Sequence, residues 1–185
     1  MNKGDLIIIP TDTVYGLAAK LYDEEALHRI FEIKGRDQSK QIPILCHQIS
    51  DLDQIAMLND YSKKLMEKFW PGPITFVLNT TEAFFHLTGE KTIAARIPNH
   101  SKALELIKKY GVLRVTSLNK SGEPPLSDIT HIRQQFGRFV SDIYEQNLEQ
   151  SDVSSTVVDL THENVQILRQ GTITEKAIKD ALKTT

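Results

Sequence analysis

Cysteine is nearly absent from this sequence, and so are long apolar runs. The chain has 185 residues and one cysteine, Cys46, so it cannot form an internal disulfide. Cys46 closes the apolar run Ile42–Cys46, where we expect a buried thiol in a reducing compartment. No stretch approaches the roughly 20 apolar residues that span a bilayer, and Leu6–Ile9 is too short for the apolar core of a signal peptide. We therefore expect a cytoplasmic protein that does not enter the membrane.

The common nucleotide and metal motifs are missing too. The chain has neither the G-x-x-x-x-G-K-[ST] phosphate loop nor the G-x-G-x-x-G dinucleotide turn, so any nucleotide would be held by side chains and dispersed backbone groups. The six histidines show no paired metal-ligand spacing, and one cysteine cannot build a structural zinc site. We expect no resident metal. Cys46 and His47 would point to opposite faces of a strand, which favours packing over nucleophilic catalysis.

Net charge of either sign is also small. The 22 Lys and Arg residues against 24 Asp and Glu give a formal charge of −2. This balance argues against a protein that holds nucleic acid mainly by bulk attraction, although local basic patches stay open. With 40% hydrophobic residues, the length suits one domain with a buried core, and we expect residues 1–185 to form it.

Short apolar runs alternate with amphipathic segments along the chain, and this pattern predicts a layered fold of strands and helices. The predicted strands are Leu6–Ile9, Thr13–Leu17, Ile42–Cys46, Ile74–Leu78, Thr92–Ile97, Val112–Thr116, Thr156–Leu160 and Val165–Leu168. The predicted helices run from Asp23 to Gly35 and over Leu52–Met57, Tyr61–Phe69, Ser101–Tyr110, Ile129–Phe136 and Glu175–Leu182. Because some strands follow one another without a helix, we expect an α/β domain of the α+β type with a mixed sheet.

Polar and basic clusters lie at the ends of these elements, where α/β sheets place their ligands. They are Thr11-Asp12-Thr13, Lys34-Gly35-Arg36, Arg96, Ser117-Leu118-Asn119, Ser154-Ser155-Thr156 and Arg169. Each cluster also has a purely structural interpretation, such as turn threonines that bond backbone groups or cations that complement a helix end. Lys34 and Arg36 are expected to face solvent beyond their helix. Only the joint pattern indicates a site.

Six segments together resemble a known family in their order and spacing. They are Ile9-Pro10-Thr11-Asp12-Thr13-Val14-Tyr15-Gly16-Leu17, Lys34-Gly35-Arg36, Trp70-Pro71-Gly72-Pro73-Ile74-Thr75, Arg96-Ile97-Pro98, Ser117-x-Asn119-x-Ser121-Gly122 and Ser155-Thr156-Val157-Val158-Asp159. The chain closely resembles the YrdC/TsaC-like family, the threonylcarbamoyl-AMP synthases, from about Leu6 to Gly171.

The resemblance implies a strongly twisted mixed parallel and antiparallel sheet flanked by helices, with a basic cavity for ATP, L-threonine and bicarbonate. The implied enzyme is a nucleotidyltransferase that makes L-threonylcarbamoyladenylate and pyrophosphate, with Mg²⁺ arriving bound to ATP. A separate transferase complex would use the product to modify adenosine 37 of tRNA.

The resemblance also implies roles for individual residues. Lys34 and Arg36 would be catalytic and hold bicarbonate and the triphosphate. Arg96 would bind the threonine carboxylate, while Thr13, Ser155 and Thr11 would hold its amine and hydroxyl. The remaining nucleotide-binding residues would be Lys40, Thr92, Ser117, Asn119 and Arg169.

The sequence departs from the family pattern at two positions. Asp37 replaces the usual proline, and Leu118 replaces a small alanine, so we expect Leu118 to press on the nucleotide pocket. A non-catalytic paralogue that binds double-stranded RNA or tRNA stays open as an alternative, although acids interrupt the basic residues. Carbamoyl-adenylate chemistry, as in hydrogenase maturation proteins, is a second alternative, but the zinc and acylphosphatase modules that accompany it are not recognisable here.

Overall fold

A mixed β-sheet organises the computed structural model, which describes residues 1–145 and 153–183. Its strands within these ranges are β1 (Ile7–Ile9), β2 (Gly16–Lys20), β3 (Ile44–Leu45), β4 (Ile74–Asn79), β5 (Thr92–Arg96), β6 (Leu113–Ser117), β7 (Asp142–Ile143), β8 (Thr156–Asp159) and β9 (Gln166–Arg169). They lie in the order β7-β1-β2-β6-β3-β5-β4-β8-β9. The pairs β1–β7, β3–β5 and β4–β8 are parallel, and the other neighbours are antiparallel. The predicted mixed sheet is therefore confirmed.

Helices cover both faces of this sheet. They are α1 (Glu24–Lys34), α2 (Asp60–Phe69), α3 (Glu82–Thr88), α4 (Ser101–Tyr110), α5 (Ile129–Phe136) and α6 (Glu175–Lys183). Helix α1 begins where Asp23 Oδ1 accepts a hydrogen bond from the Ala26 amide at 3.0 Å. It ends at Gly35, whose φ of 58° is a left-handed conformation that glycine adopts without steric cost. This glycine turns the chain sharply, so that Arg36 leaves the helix axis.

Three apolar clusters form the core. One packs α1 and α5 against β1 and β2 through residues such as Ile30 and Phe136. The second packs α4 against the opposite face of the same strands through Leu106 and Ile107. The third packs α2, α3 and α6 against β4, β5 and β8. Because both faces are covered, the strand ends are the places where polar side chains meet a cavity.

Most predicted elements are confirmed, and the exceptions are local. The predicted helix Leu52–Met57 is wrong, because a 3₁₀ turn lies earlier, at Ile49–Leu52, and Ala56 pairs with Thr80 as an isolated bridge. The predicted strand Ile42–Cys46 shortens to β3, and the predicted strand Thr13–Leu17 is wrong at its start, because β2 begins at Gly16 and continues to Lys20. Helix α3 and strand β7 were missed, because each is short and neither shows a clear apolar period.

Candidate active site

A cavity of about 170 Å³ is lined by residues of β2, β3, β4, β5, β6 and β9 and by the loops next to them. Of the predicted site residues, it is lined by Thr11, Thr13, Arg36, Arg96, Ser117, Ser155 and Arg169. Its other walls come from Val14, Tyr15, Gly16, Pro43, Leu45, Thr75, Val115, Thr116 and Ser154. The sheet therefore brings together polar groups that are far apart in the sequence, with apolar side chains between them.

Two threonines at the start of the cavity form a directed chain of hydrogen bonds. Thr11 donates its hydroxyl proton to the Val14 carbonyl at 2.7 Å, so it can only accept from Thr13, whose hydroxyl lies 3.1 Å away. Thr11 also accepts the Thr13 amide at 3.1 Å, which uses its hydrogen-bonding capacity fully. Thr13 accepts from Arg96 Nη1 at 2.8 Å and keeps one lone pair. Thr13 can therefore accept one further donor, whereas Thr11 serves the turn.

Arg96 is held from several sides before any substrate arrives. The residue is only 5% exposed, and its Nε donates to the Gly72 carbonyl at 2.9 Å. Its Nη2 forms an ion pair with Asp12, a residue that is also largely buried. A guanidinium has five N–H groups, and three of them are used in these bonds and the bond to Thr13. These bonds fix the orientation of Arg96. Two of its N–H groups are not used by these three partners and can bind a ligand.

The turn Trp70–Pro73 is hydrogen-bonded to two walls of the cavity. Gly72 accepts from Arg96 through its carbonyl, and the Pro73 carbonyl accepts the Thr156 amide at 3.0 Å. Trp70 fastens the turn by donating its indole N–H to the Ile74 carbonyl at 2.9 Å. This turn therefore holds Arg96 near the start of β8, the strand that directly follows Ser155.

Ser155 and Arg169 form the opposite wall. The hydroxyls of Ser155 and Thr75 lie 2.8 Å apart. Arg169 donates from Nε to the Ser155 carbonyl at 3.0 Å and from Nη2 to the Ser155 hydroxyl at 3.2 Å. A single arginine thus fixes both the backbone and the side chain of Ser155.

Lys34 is buried rather than solvent-facing, which corrects the expectation drawn from its place at a helix end. The residue is 2% exposed, and its ammonium donates to the carbonyls of Ser117 and Asn119 and to Asn119 Oδ1. These bonds use all three of its protons. Burial, followed by the nearby charge of Arg36, lowers the pKa of Lys34 to about 8. Lys34 therefore joins α1 to the loop after β6, outside the cavity lining.

Asn119, the predicted partner of Ser117, is also tied into that loop. Its Oδ1 accepts from the Ser117 hydroxyl at 2.7 Å, and its Nδ2 donates to the Glu123 carbonyl at 2.6 Å. Ser117 lines the cavity, whereas Asn119 does not. Together with Lys34, Asn119 fixes the shape of the loop that presents Ser117.

Arg36 reaches the cavity and also caps a neighbouring segment. Its Nε donates to the Lys40 carbonyl at 3.1 Å, and its Nη2 donates to the Gln41 carbonyl at 2.9 Å. Gln41 in turn donates to the Thr92 carbonyl at 2.8 Å. Neither Lys40 nor Thr92 lines the cavity, although both were predicted to bind nucleotide. Lys40 lies in the segment that Arg36 contacts, and Thr92 is joined to that segment through Gln41.

The cavity is strongly electropositive. Burial lowers the pKa values of Arg36, Arg96 and Arg169 from their ordinary value, because a charged guanidinium loses hydration there. The Asp12 carboxylate opposes this change at Arg96, and the charge of Arg169 adds to it. No carboxylate lies in the lining formed by the described residues. Three guanidiniums around a small volume are suited to anionic groups such as carboxylate, bicarbonate or phosphate.

Comparison with known proteins agrees with this geometry. The profile of the Sua5, YciO and YrdC family, described as telomere recombination, matches residues 1–171. The chain belongs to this family.

Individual members of the family are similar over nearly the whole chain. The threonylcarbamoyl-AMP synthase of Pyrococcus abyssi is 35% identical over 178 residues, which are 92% of this chain and 52% of that protein. The crystal structure of P. abyssi Sua5 complexed with L-threonine has a TM-score of 0.89 at 34% identity, and covers 97% of this chain and 54% of that one. Escherichia coli YciO has a TM-score of 0.83 at 28% identity, over 95% and 87% of the two chains. The chain thus spans about half the length of the P. abyssi protein.

Leu118 was expected to press on the nucleotide pocket, and its position in the structure corrects that expectation. It is fully buried in the same core cluster as Tyr15, Leu17 and Ile132, and it is not part of the cavity lining. It therefore does not press on the cavity. The Leu118 amide donates to the Tyr15 carbonyl at 3.0 Å, which continues the pairing of β2 with β6 by one residue.

Three residues that matter for the site were not among the predicted ones. Asp12 holds Arg96, Thr75 holds Ser155, and Tyr15 lines the cavity. All three stand inside sequence segments that resemble the family. Alternation along an extended segment places neighbours on different sides, but it does not show which side faces the cavity.

The described residues give two further results on membranes and metals. None of the helices in residues 1–145 and 153–183 is long and apolar enough to cross a bilayer. In the same ranges, no three or more His, Cys, Asp or Glu side chains are grouped as metal ligands.

Proposed function

We propose that this chain is a threonylcarbamoyl-AMP synthase, a nucleotidyltransferase that makes L-threonylcarbamoyladenylate and pyrophosphate from ATP, L-threonine and bicarbonate. Family membership supports this proposal, as do the relatives that carry that name. The P. abyssi structure that contains L-threonine supports threonine as the amino acid. The product would then pass to a separate transferase complex that modifies adenosine 37 of tRNA.

The observation that carries the proposal is the small cavity surrounded by three guanidiniums and several hydroxyls. Its volume of about 170 Å³ is well below the roughly 300–1,000 Å³ of pockets that enclose drug-sized ligands. We assign the enclosed part to the amino acid and bicarbonate, and the open side near Arg36, Ser117 and Arg169 to the nucleotide. The fixed cations offset the negative charge that the threonine carboxylate, bicarbonate and the triphosphate would otherwise concentrate.

The hydrogen-bond directions assign the amino-acid groups. The Thr13 hydroxyl can only accept one further hydrogen bond, so we expect the amine or the hydroxyl of threonine to donate to it. Ser155 would hold the other of these two groups, and the unused N–H groups of Arg96 would bind the carboxylate. Thr11 has no capacity for a substrate atom, so its role is to orient Thr13.

The reaction needs no nucleophile from the protein. The threonine amine attacks the carbon of bicarbonate, and water leaves as the carbamate forms. A carbamate oxygen then attacks the α-phosphorus of ATP, and pyrophosphate leaves. The protein would contribute positioning and charge stabilisation, with Arg36 and Arg169 beside the phosphates. Lys34 would act by holding Ser117 and Asn119, since its three protons are already donated.

Mg²⁺ would enter as the counter-ion of ATP. The described lining of the cavity offers guanidiniums and hydroxyls but no carboxylate, and hard cations in proteins prefer carboxylate oxygens. The phosphate oxygens of ATP are therefore the ligands we expect, and the magnesium ion belongs to the substrate.

A pyrophosphate assay tests the proposal. Purified protein with ATP and Mg²⁺ should release pyrophosphate only when L-threonine and bicarbonate are both present, and mass spectrometry should detect threonylcarbamoyladenylate. Arg96→Ala should abolish this release, with Arg138→Ala as a matched control on an arginine outside the cavity. Release that is independent of threonine or of bicarbonate would contradict the proposal. If no pyrophosphate is released while RNA binds tightly, the RNA-binding alternative would be favoured.

A further inference from the structure

A short segment after β9 folds back onto the first residue of β8, which directly follows Ser155. The hydroxyl of Thr156, which is fully buried, accepts the amides of Gly171 and Ile173 at 3.0 and 3.1 Å. The same hydroxyl donates to the Ile173 carbonyl at 2.8 Å. One threonine side chain therefore fastens both ends of the segment 171–173 to the residue next to Ser155.

Gly171 makes this contact very close. A Cβ atom at position 171 would lie 2.5 Å from the Ser154 carbonyl oxygen and 2.5 Å from the Thr156 amide nitrogen. Both are backbone atoms, so no side-chain rotation could relieve the overlap. The Thr156 amide already donates to the Pro73 carbonyl, which prevents the strand from yielding. Only glycine at position 171 allows the segment to lie against residues 154–156.

The other end of this segment is anchored in the core. Helix α6 follows directly, and its Ile178 is fully buried in the same apolar cluster as Leu65 and Met66 of α2. Ile173 packs against this cluster as well. The family match ends at residue 171, so Ile173 and α6 lie beyond it. The chain thus runs from the cavity wall at Arg169, past Thr156, into a helix that the core holds in place.

We infer that Thr156 is a positioning residue, and that the segment 171–173 which it binds sets the placement of Ser155 and Arg169 in the cavity. Arg169 lies two residues before Gly171, and Ser155 directly precedes Thr156. Arg169 and Ser155 are therefore each close in the chain to one partner of the hydrogen bond between Gly171 and Thr156. That Ser155 meets the amino-acid substrate and Arg169 lies beside the nucleotide rests on the proposed function.

Substitution of the hydroxyl tests this inference. Thr156→Val keeps the shape of the side chain but removes its three hydrogen bonds, whereas Thr156→Ser keeps the hydroxyl. Thr80→Val is the matched control, because Thr80 is also buried and its hydroxyl donates to the Glu90 carbonyl at 2.7 Å, away from the cavity. Urea unfolding would first show that all three variants fold.

Two measurements report on the placement of Ser155 and Arg169. The first is the exchange rate of the Arg169 Nε–H with water, followed by NMR, since this proton is donated to the Ser155 carbonyl. The second is the Kd for L-threonine, measured by calorimetry without ATP. We expect Thr156→Val to speed the exchange and to raise the Kd, each on the order of tenfold, because the displaced Arg169–Ser155 contact would lose about one hydrogen bond. Thr156→Ser should restore both values, and Thr80→Val should change neither.

The outcomes separate this inference from the proposed function. Equal Arg169 exchange rates in Thr156→Val and Thr80→Val would overturn the positioning role, whatever happens to binding. If the wild-type protein fails to bind threonine, the proposed function loses its support, while the exchange measurement still decides the role of Thr156. Faster exchange with no rescue by Thr156→Ser would also count against the hydroxyl.

Discussion

The ion pair between Arg96 and Asp12 supports the cavity wall from within. Asp12→Asn would leave the guanidinium in a buried position without its carboxylate, and we expect the free energy of unfolding to fall by roughly 3 kcal/mol. Urea unfolding measures this. Glu105→Gln removes the exposed pair with Lys102 and should cost less than about 1 kcal/mol. Equal losses in the two variants would mean that the Arg96 pair is screened like a surface pair.

Lys34 predicts opposite pH effects on stability and activity. Its pKa of about 8 in the folded protein lies below the ordinary 10.5, so the unfolded chain binds more protons between these values. The contribution of Lys34 to stability should therefore rise as the pH increases from about 8 to 10.5. Pyrophosphate release should fall over the same range, because the neutral amine has two protons for three acceptors.

The variant Lys34→Met isolates this titration, since methionine has no titrating group. The difference in unfolding free energy between wild type and Lys34→Met should shift in favour of wild type as the pH rises through the window. NMR of the Lys34 Nζ group would give its pKa directly. If the unfolding free energies of the wild type and of Lys34→Met change in parallel from pH 8 to 10.5, that result would contradict the lowered pKa.

Neighbouring side chains at the end of β6 lie in different surroundings. Ser117 faces the cavity, whereas Leu118 packs into the core. Leu118→Ala should lower stability by about 2–5 kcal/mol because it leaves a cavity in the core. The KM for ATP should not change. Leu87→Ala, at a side chain that is 64% exposed, serves as the control for stability.

A lower KM for ATP in Leu118→Ala would contradict the structure, because it would mean that the leucine restricts the nucleotide site. Unchanged stability would equally place the side chain outside the core. Either result would return the loop to the orientation that we first expected from the sequence.

The assembled cavity predicts how the whole protein chooses its amino acid. If Thr13 and Ser155 bind the amine and hydroxyl of threonine, valine leaves one of them unpaired and should be used on the order of 10⁴-fold less well. Serine lacks only a methyl group, so its penalty should be about 1–3 kcal/mol. The ratio of kcat/KM for the three amino acids checks this. Equal use of threonine and valine would show that the hydroxyl is not recognised.

Local features of the fold were predictable from the sequence because their causes are local. Helix α1 has Asp23 before it and Gly35 after it, and both residues act within one turn of the chain. Apolar runs such as Leu6–Ile9 predict strands for the same reason. Short elements such as β7 cannot be predicted in this way, because two residues are too few to show an alternation of apolar and polar side chains.

The candidate site was predictable only as a set of segments. The motifs placed Thr13, Arg96, Ser155 and Arg169 near strand ends, and the cavity confirms that they share one lining. Their functional roles stay predictions. Which residues face the cavity was decided by packing, as Leu118 shows.

By itself, the sequence determined the family, the mixed sheet and the segments that carry the site. Only the tertiary structure decided that Lys34 is buried, because its acceptors lie 83 and 85 residues further along the chain. The same holds for Thr156, which meets Ile173, and for Asp12, which meets Arg96. The physical reason is that burial and hydrogen bonding depend on which remote groups the sheet brings together. Local patterning carries no information about such partners.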